Sequence, residues 1–175
     1  MSGKKFVLSF EEGDGKNKML LGGKGANLCE MTQIGLNVPP GFTVSTDACL
    51  AFLENNAFPG GVLEEIRSHM KALEKKTGKQ FGGADNPLLV SVRSGSAMSM
   101  PGMMDTILNL GLNEKSLQGL IKQTKNERFA YDAYRRFIQL FGKIALGIAD
   151  EVFDEKMSAL KAAVGAKRTC SNGPG

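Results

Sequence analysis

The chain has 175 residues, a formal charge of +4, 42% hydrophobic residues and 23% charged residues, a composition typical of a folded domain rather than a disordered one. No run of Lys or Arg exceeds a pair and no apolar stretch is of membrane-spanning length, so neither a nucleic-acid surface nor a membrane segment is predicted. Cys29, Cys49 and Cys170 are widely spaced and odd in number, which favours the reduced thiols of a cytoplasmic protein over a disulfide framework or a zinc site; no signal or transit peptide is recognised at the start.

The first half of the sequence is predicted to mix short strands with helices. Residues 5–10 alternate as in a strand, and a glycine-rich turn precedes a short helix over residues 26–35. A strand over residues 42–44 leads to Ser45-Thr46-Asp47, whose side chains are typical helix N-caps. Apolar residues at helical spacing predict a further helix over residues 62–77.

The glycine-rich turn around Lys24 is a candidate phosphate site. The first-turn N–H groups of a helix are unpaired and lie at the positive end of its dipole, and Lys24 would add a charge. A P-loop would need glycine where Lys18 stands and Ser or Thr where Gly25 stands, and the dinucleotide fingerprint lacks its third glycine. Such a turn is by itself more often structural, so both interpretations stay open.

A second candidate site follows the β-branched run at residues 88–92, which predicts a buried strand ending at Arg93. A loop of small residues and methionines comes next, then another strand over residues 107–112, so a hairpin is predicted. The planar donors of an arginine, together with the backbone N–H groups of a small-residue loop, suit an oxyanion such as a polyphosphate. A surface loop with a solvated arginine fits this stretch equally well.

The last third of the sequence is predicted to be helical. Asn113 opens a helix to residue 124, Asn126 caps another to residue 142, and a last helix covers residues 155–164. The single histidine, His69, predicts no catalytic triad or metal cluster and is assigned to the surface or to packing. The second of these helices has a basic face, expected to be solvated or to contact a partner, formed by Arg128, Arg135 and Arg136.

Short strands and numerous helices predict an α+β fold with a small mixed or antiparallel sheet flanked by helices. Residues 1–164 are expected to form one domain. Residues 165–175, with glycine, proline and basic residues, are expected to be a disordered linker or tail.

Three segments resemble the pyruvate, phosphate dikinase family. They read LGGKGANLCEM at residues 21–31, VPPGFTV at residues 38–44, and SVRSG followed by MPGMMDTILNLG within residues 91–111. The similarity spans residues 6–164 and implies the first subdomain of an ATP-grasp nucleotide-binding domain. The phosphoenolpyruvate synthases and glucan water dikinases share the Gly-Gly-Lys and Val-Arg-Ser themes but lack the Met-Pro-Gly-Met-Met-Asp-Thr continuation, and a synthase-like or other dikinase domain is the alternative.

The resemblance implies a phosphotransferase that interconverts ATP, phosphate and pyruvate with AMP, pyrophosphate and phosphoenolpyruvate through a phosphohistidine. The partners it implies are ATP and AMP, the phosphohistidine domain and the pyruvate barrel of the same enzyme, and a second subunit in a homodimer. The family's Gly-Gly-x-x-Ser-His segment is missing from this sequence. The second ATP-grasp lobe, which would hold the magnesium ligands, is missing as well. We therefore expect no metal ligand and no turnover in this chain alone, which would be about the first fifth of the enzyme.

The resemblance also assigns roles to particular residues. Lys24 would bind the phosphates of ATP from the first lobe. Arg93 would grip the β- and γ-phosphates and stabilise the charge that develops as the β-phosphoryl group leaves. A loop over the phosphates would supply the remaining contacts, from Gly95, Ser96, Gly102, Met103 and Thr106. A non-catalytic docking module that uses the basic helix face is the hypothesis from a different functional class.

Overall fold

The computed structural model describes residues 4–95 and 105–165. Within these residues there are six helices, α1 (Lys18–Gln33), α2 (Thr46–Asn55), α3 (Val62–Thr77), α4 (Glu114–Thr124), α5 (Glu127–Leu146) and α6 (Asp150–Ala163). The strands are β1 (Val7–Ser9), β2 (Phe42–Val44), β3 (Gln80–Phe81), β4 (Pro87–Leu88), β5 (Val90–Arg93) and β6 (Thr106–Leu110). None of the helices in this part of the chain is long and apolar enough to cross a membrane.

The strands form three separate two-stranded sheets. The β1–β2 and β5–β6 pairs are antiparallel, and β3–β4 is parallel. The α+β class and the predicted hairpin are confirmed, but the strand predicted over residues 88–92 is divided at Leu89. The division arises because Leu88 pairs with Phe81 in one sheet whereas Val90 pairs with Leu110 in another.

The first hydrophobic cluster lies where α1 packs beside the β1–β2 pair. Its buried residues are Phe10, Leu21, Ala26 and Cys29. The turn after β1 passes so close that a Cβ on Gly13 would lie 2.5 Å from the Cys29 sulfur. Burial, with a smaller contribution from the Glu11 carboxylate, raises the pKa of the Cys29 thiol, so this cysteine is a packing residue kept in its neutral form.

Helix α3 is attached to β1 through one carboxylate. Glu65 Oε2 accepts hydrogen bonds from the backbone N–H groups of Phe6 at 2.9 Å and Val7 at 2.7 Å, and Val7 is fully buried. Because a buried N–H without an acceptor is costly, Glu65 takes the place of a third strand along this edge of β1.

Glu65→Ala is therefore expected to lower the free energy of unfolding by about 1–3 kcal/mol, the cost of leaving buried donors unpaired. Urea denaturation followed by circular dichroism measures this change. Glu64→Ala is the matched control, because the neighbouring Glu64 is exposed and makes a long surface ion pair of 3.7 Å with Arg67. Its loss is expected to change stability by less than about 0.5 kcal/mol. Equal losses in the two variants would contradict the assignment.

The second hydrophobic cluster joins α4, α5 and the segment after β6. It contains Leu112, Leu117, Leu120, Ala130 and Ala133. The predicted caps of both helices are confirmed: the Asn113 side chain accepts from the Ser116 N–H in a capping box, and the Asn126 side chain accepts from the Phe129 N–H.

Three sequence expectations need correction at helix ends. Helix α5 continues to Leu146 instead of ending at residue 142. Helix α6 begins at Asp150 rather than residue 155, since carboxylates at Asp150 and Glu151 complement the helix dipole and Asp150 pairs with Lys143. Ser45 occupies the N-cap position of α2, but its side chain makes no capping hydrogen bond. Its hydroxyl is buried without a partner among the described residues.

Candidate functional site

Helix α1 is interrupted at Gly22, in the middle of the glycine-rich segment. Gly22 has φ 69° and ψ 163°, a conformation that glycine adopts without steric cost. A short first segment, capped by Asn17, therefore ends there, and a second helical segment starts with Lys24 in its first turn. The predicted glycine turn at a helix start is confirmed, although a helical turn also precedes it.

The chain leading from β2 into α2 supports both sides of this break. The Thr46 hydroxyl donates to the Met19 carbonyl at 2.6 Å and lies 3.3 Å from the Leu20 carbonyl, just before Gly22. Beyond the break, a Cβ on Gly25 would lie 2.9 Å from the side chain of Thr43. The direction of the helix start that carries Lys24 is thus fixed by contacts with this β2–α2 connection.

Arg93 and Thr106 are brought together by the β5–β6 hairpin, in which they are directly opposite each other. Opposed residues of an antiparallel pair project from the same face of the sheet. One residue further along, the Ser94 N–H donates to the Asp105 carbonyl at 3.0 Å and the Asp105 N–H donates to the Ser94 hydroxyl at 2.9 Å. These bonds close the neck of the hairpin and hold the Arg93–Thr106 pair in register.

The strand predicted before Arg93 is buried only at its start, where Leu88 is buried and Val90 is half-buried. Ser91, Val92 and Arg93 are all exposed, and Val92 keeps 47% of its surface accessible. The reason is that α5 packs against β6, which leaves β5 as the outer strand of the hairpin. Arg93 therefore presents its guanidinium to solvent, and it makes no ion pair with another described residue.

The other predicted site residues divide into three groups. Lys24 is half-buried on α1, which contributes to the first hydrophobic cluster. Arg93 lies in the second half of the fold, so a close approach between the Lys24 and Arg93 side chains stays a prediction. Gly95 is exposed, and a Cβ there would meet only open space. The remaining three lie outside the described residues, namely Ser96, Gly102 and Met103.

His69 is a packing residue, in line with its sequence interpretation. Its ring lies 5.4 Å from the Phe42 ring, and its Nδ1 is 2.8 Å from the Glu65 carbonyl. It lines a groove of about 60 Å³ that includes neither Lys24 nor Arg93. In residues 4–95 and 105–165, no three His, Cys, Asp or Glu side chains are grouped to hold a metal ion.

Sequence reasoning missed two features of this site, Thr46 and the Ser94–Asp105 neck. Thr46 was interpreted only as part of a helix cap, because nothing local in a sequence indicates a contact with a carbonyl 27 residues away. The neck could have been found, since a serine and an aspartate directly flanking a predicted hairpin loop are typical side-chain-to-backbone partners.

One stretch of the chain matches a known protein family. Residues 18–60, which contain the broken helix and the β2–α2 connection that supports it, match the family described as "Pyruvate phosphate dikinase, AMP/ATP-binding domain".

The particular relatives are pyruvate, phosphate dikinases. The chain is 62% identical over 162 residues to the pyruvate, phosphate dikinase of Entamoeba histolytica, and the aligned residues cover 92% of this chain and 18% of the relative. It is 52% identical over 150 residues to that of Giardia intestinalis (86% and 17%), and 52% identical over 157 residues to a chloroplastic one of Mesembryanthemum crystallinum (89% and 16%). The resemblance is confirmed, and the chain spans less than a fifth of the length of these relatives.

Proposed function

We propose that residues 1–164 are the first ATP-grasp subdomain of a pyruvate, phosphate dikinase and bind the phosphates of ATP or AMP, with residues 165–175 as a linker. The observation that carries the proposal is the pairing of Arg93 with Thr106 across the neck of an exposed hairpin. Because Arg93 has no carboxylate partner among the described residues, its donors remain available to an anionic ligand.

The contribution of this chain to the chemistry is binding and charge stabilisation. Arg93 would hold the terminal phosphates and offset the charge that develops when the β-phosphoryl group leaves. Lys24, at a helix start, would add a mobile cation and the unpaired first-turn N–H groups. Ser96, Gly102 and Met103 would supply backbone and side-chain contacts from the loop.

Among the described residues no three His, Cys, Asp or Glu side chains are grouped to hold a metal ion, so we assign no magnesium ligand to them. Magnesium supplies charge neutralisation when it accompanies ATP, and its ligands would come from a second ATP-grasp lobe. We therefore assign no step to a metal held by this chain. Turnover would need the phosphohistidine domain and the pyruvate barrel in a homodimeric cytoplasmic enzyme, and the chain alone is expected to be inactive.

Titration calorimetry of the chain with ATP tests the proposal. The expected affinity is weak, with a Kd on the order of 1 mM, because the chain offers one side of the site. Pyrophosphate should compete with ATP, since the phosphates supply most of the contacts, whereas adenosine should not. Absence of saturable ATP binding up to roughly ten times that Kd would contradict the function, as would equal competition by adenosine.

Thr46→Val tests how the fold orients Lys24. Loss of the hydroxyl frees the Met19 carbonyl beside the break, so ATP affinity is expected to fall several-fold. The cost to stability should be about 1 kcal/mol, typical of one hydrogen bond. Thr46→Ser should restore ATP affinity. Thr77→Val, whose hydroxyl bonds within its own helix and to the Lys79 N–H just beyond it, should leave binding unchanged. Equal binding by all three variants would contradict the role of Thr46.

A docking module remains a second candidate, because the basic face of α5 is accessible. Arg135 and Arg136 both bind Asp132, at 2.9 and 2.8 Å, and the hydrogen bond from Arg135 is the main cause that lowers the pKa of Asp132. Charge reversal at Arg135 and Arg136 in an enzyme reconstituted from two pieces separates the hypotheses. Loss of turnover with intact ATP binding would favour docking.

A further inference from the structure

The β5–β6 ladder contains one extra residue on β6. Val90 is opposite Leu110 and Val92 is opposite Ile107, so β5 advances two residues between these pairs whereas β6 advances three. A strand pair absorbs such an extra residue as a β-bulge, which interrupts the ladder and increases its twist. The bulge lies between the core end of the hairpin and the end that carries Arg93.

Asn109 supplies the backbone conformation that this bulge needs. Its φ is 59°, in the left-handed region, although it lies within a strand. The other two described residues that combine a side chain with a positive φ, Asn56 and Lys125, end helices. One common type of bulge places its first residue in this conformation, usually as a glycine. Asparagine tolerates it better than other side chains, whereas a β-branched residue there is an outlier. Asparagine at this position therefore favours the bulge over a regular strand.

The core end of the hairpin is held independently of the bulge. Leu89 packs against the second hydrophobic cluster, and Leu112 belongs to it. The backbones are also close here, since a Cβ on Gly111 would lie 2.7 Å from the Leu88 carbonyl oxygen. The strand pairing at this end is therefore the fixed point from which the register of the hairpin runs.

The extra residue decides which side chain is opposite Arg93. Counted from the fixed pair at the core end, a regular ladder would place Ile107 opposite Arg93. The bulge shifts the register by one residue, so Thr106 takes that place. Without it the guanidinium would neighbour an apolar side chain, and the Thr106 hydroxyl would project from the other face of the hairpin, because a slip of one residue exchanges the two faces of a strand.

We propose that Asn109 is a positioning residue of the anion site, because its left-handed conformation forms the bulge that sets Thr106 opposite Arg93. Asn109 acts through the register of the hairpin and not through contact with the ligand. A hydroxyl beside the guanidinium adds a donor for a phosphate oxygen, which isoleucine cannot supply. The inference rests on the proposed function for what this pair binds, but the register is measurable without nucleotide.

Nuclear Overhauser contacts in the whole chain, without ligand, measure the register. The hydrogen bond across the neck of the hairpin makes the adjacent Arg93–Thr106 pair a non-hydrogen-bonded one, in which the Cα atoms approach to about 4.5 Å. A strong contact between the Hα protons of Arg93 and Thr106 is therefore expected in the wild type. Asn109→Val should abolish this contact and bring Ile107 into contact with Arg93.

Two variants serve as controls for the loss of the bulge. Asn109→Gly should keep the wild-type contact, because glycine adopts the left-handed conformation without steric cost. Leu108→Val places the same β-branched side chain one residue earlier in β6, where the residue is exposed and its φ is not positive, and it should leave the register unchanged. Circular dichroism checks folding. If the Asn109→Val protein does not fold, the smaller Asn109→Ala replaces it, with the same direction of change expected.

Titration with ATP measures the consequence for the site. Asn109→Val is expected to raise the Kd for ATP at least about tenfold, as for the loss of one hydrogen bond to a charged group. The Asn109→Gly and Leu108→Val proteins should stay within about twofold of the wild type. Absence of ATP binding by the wild type would count against the proposed function alone, because the register contacts are read without ATP.

Three outcomes would overturn the role of Asn109. The first is an Arg93–Thr106 contact that persists when Asn109 is replaced by valine or alanine. The second is an Asn109→Gly protein that loses this contact. The third is an unchanged Kd for ATP in a variant whose register has shifted. A residue that only stabilised the fold would alter the free energy of unfolding without changing which residue contacts Arg93.

Discussion

Replacing Arg93 by alanine is expected to remove most of the affinity of this chain for ATP while leaving its stability unchanged. Hydrogen bonds to charged groups contribute about 1.5–3 kcal/mol each, which corresponds to a loss of roughly 10–150-fold for one such bond. From an initial Kd near the millimolar range, this loss places binding beyond detection. Stability should not change, because Arg93 is exposed at the end of the outer strand β5.

Calorimetric titration with ATP, paired with urea denaturation, measures both halves of this expectation. Arg67→Ala is the matched control, since Arg67 is also an exposed arginine and its only ion pair is a 3.7 Å contact with Glu64 in the described structure. Arg93→Lys should retain part of the affinity, because a lysine keeps the charge but loses the planar pair of donors. An Arg93→Ala titration that matches the wild type would remove Arg93 from the site.

Gly119→Ala is expected to cost about 3 kcal/mol or more of stability, at the upper end of what overpacking costs. A Cβ on Gly119 would lie 2.1 Å from the Ala84 carbonyl oxygen, 2.9 Å from the Ala84 carbonyl carbon and 3.1 Å from Pro87. Two of these atoms belong to the backbone, so no side-chain rotation relieves the overlap. Helix α4 would have to move away from the turn before β4, which opens the second hydrophobic cluster.

Urea denaturation measures this loss, which is a large part of the 5–15 kcal/mol typical of a folded domain. Gly60→Ala is the control, because a Cβ at Gly60 meets nothing within 4 Å and its φ is not positive. It is expected to change stability by less than about 0.5 kcal/mol. A Gly119→Ala protein as stable as the Gly60→Ala protein would show that α4 and the turn do not pack as described.

Helix boundaries that are set by a local start or stop signal were predictable from the sequence. Asn113 and Asn126 act within three residues of themselves, and α3 ends before Gly78, which adopts a left-handed conformation. Local chemistry decides such boundaries, so a single sequence suffices. The burial of β5 was not predictable, because its β-branched residues indicate a strand but not which element covers it, and α5 lies against β6 instead.

The same distinction applies to the candidate site, where contacts within one hairpin were predictable and contacts between distant segments were not. The opposition of Arg93 and Thr106 follows from a hairpin whose two strands are both recognisable, with only the register left to the structure. The support that Thr46 gives to the Gly22 break depends on how two distant segments pack, and no periodicity encodes it.

The interruption of α1 at Gly22 has a consequence for hydrogen exchange. A helix that restarts at this point leaves the amide hydrogens of its new first turn, around Lys24, without carbonyl acceptors from the preceding turn. Those amides should exchange with deuterated solvent as rapidly as those of a helix terminus, although they lie inside a 16-residue helical span. An oxyanion bound to these amides would slow that exchange, so the exchange rate around Lys24 would report whether the anion site is occupied.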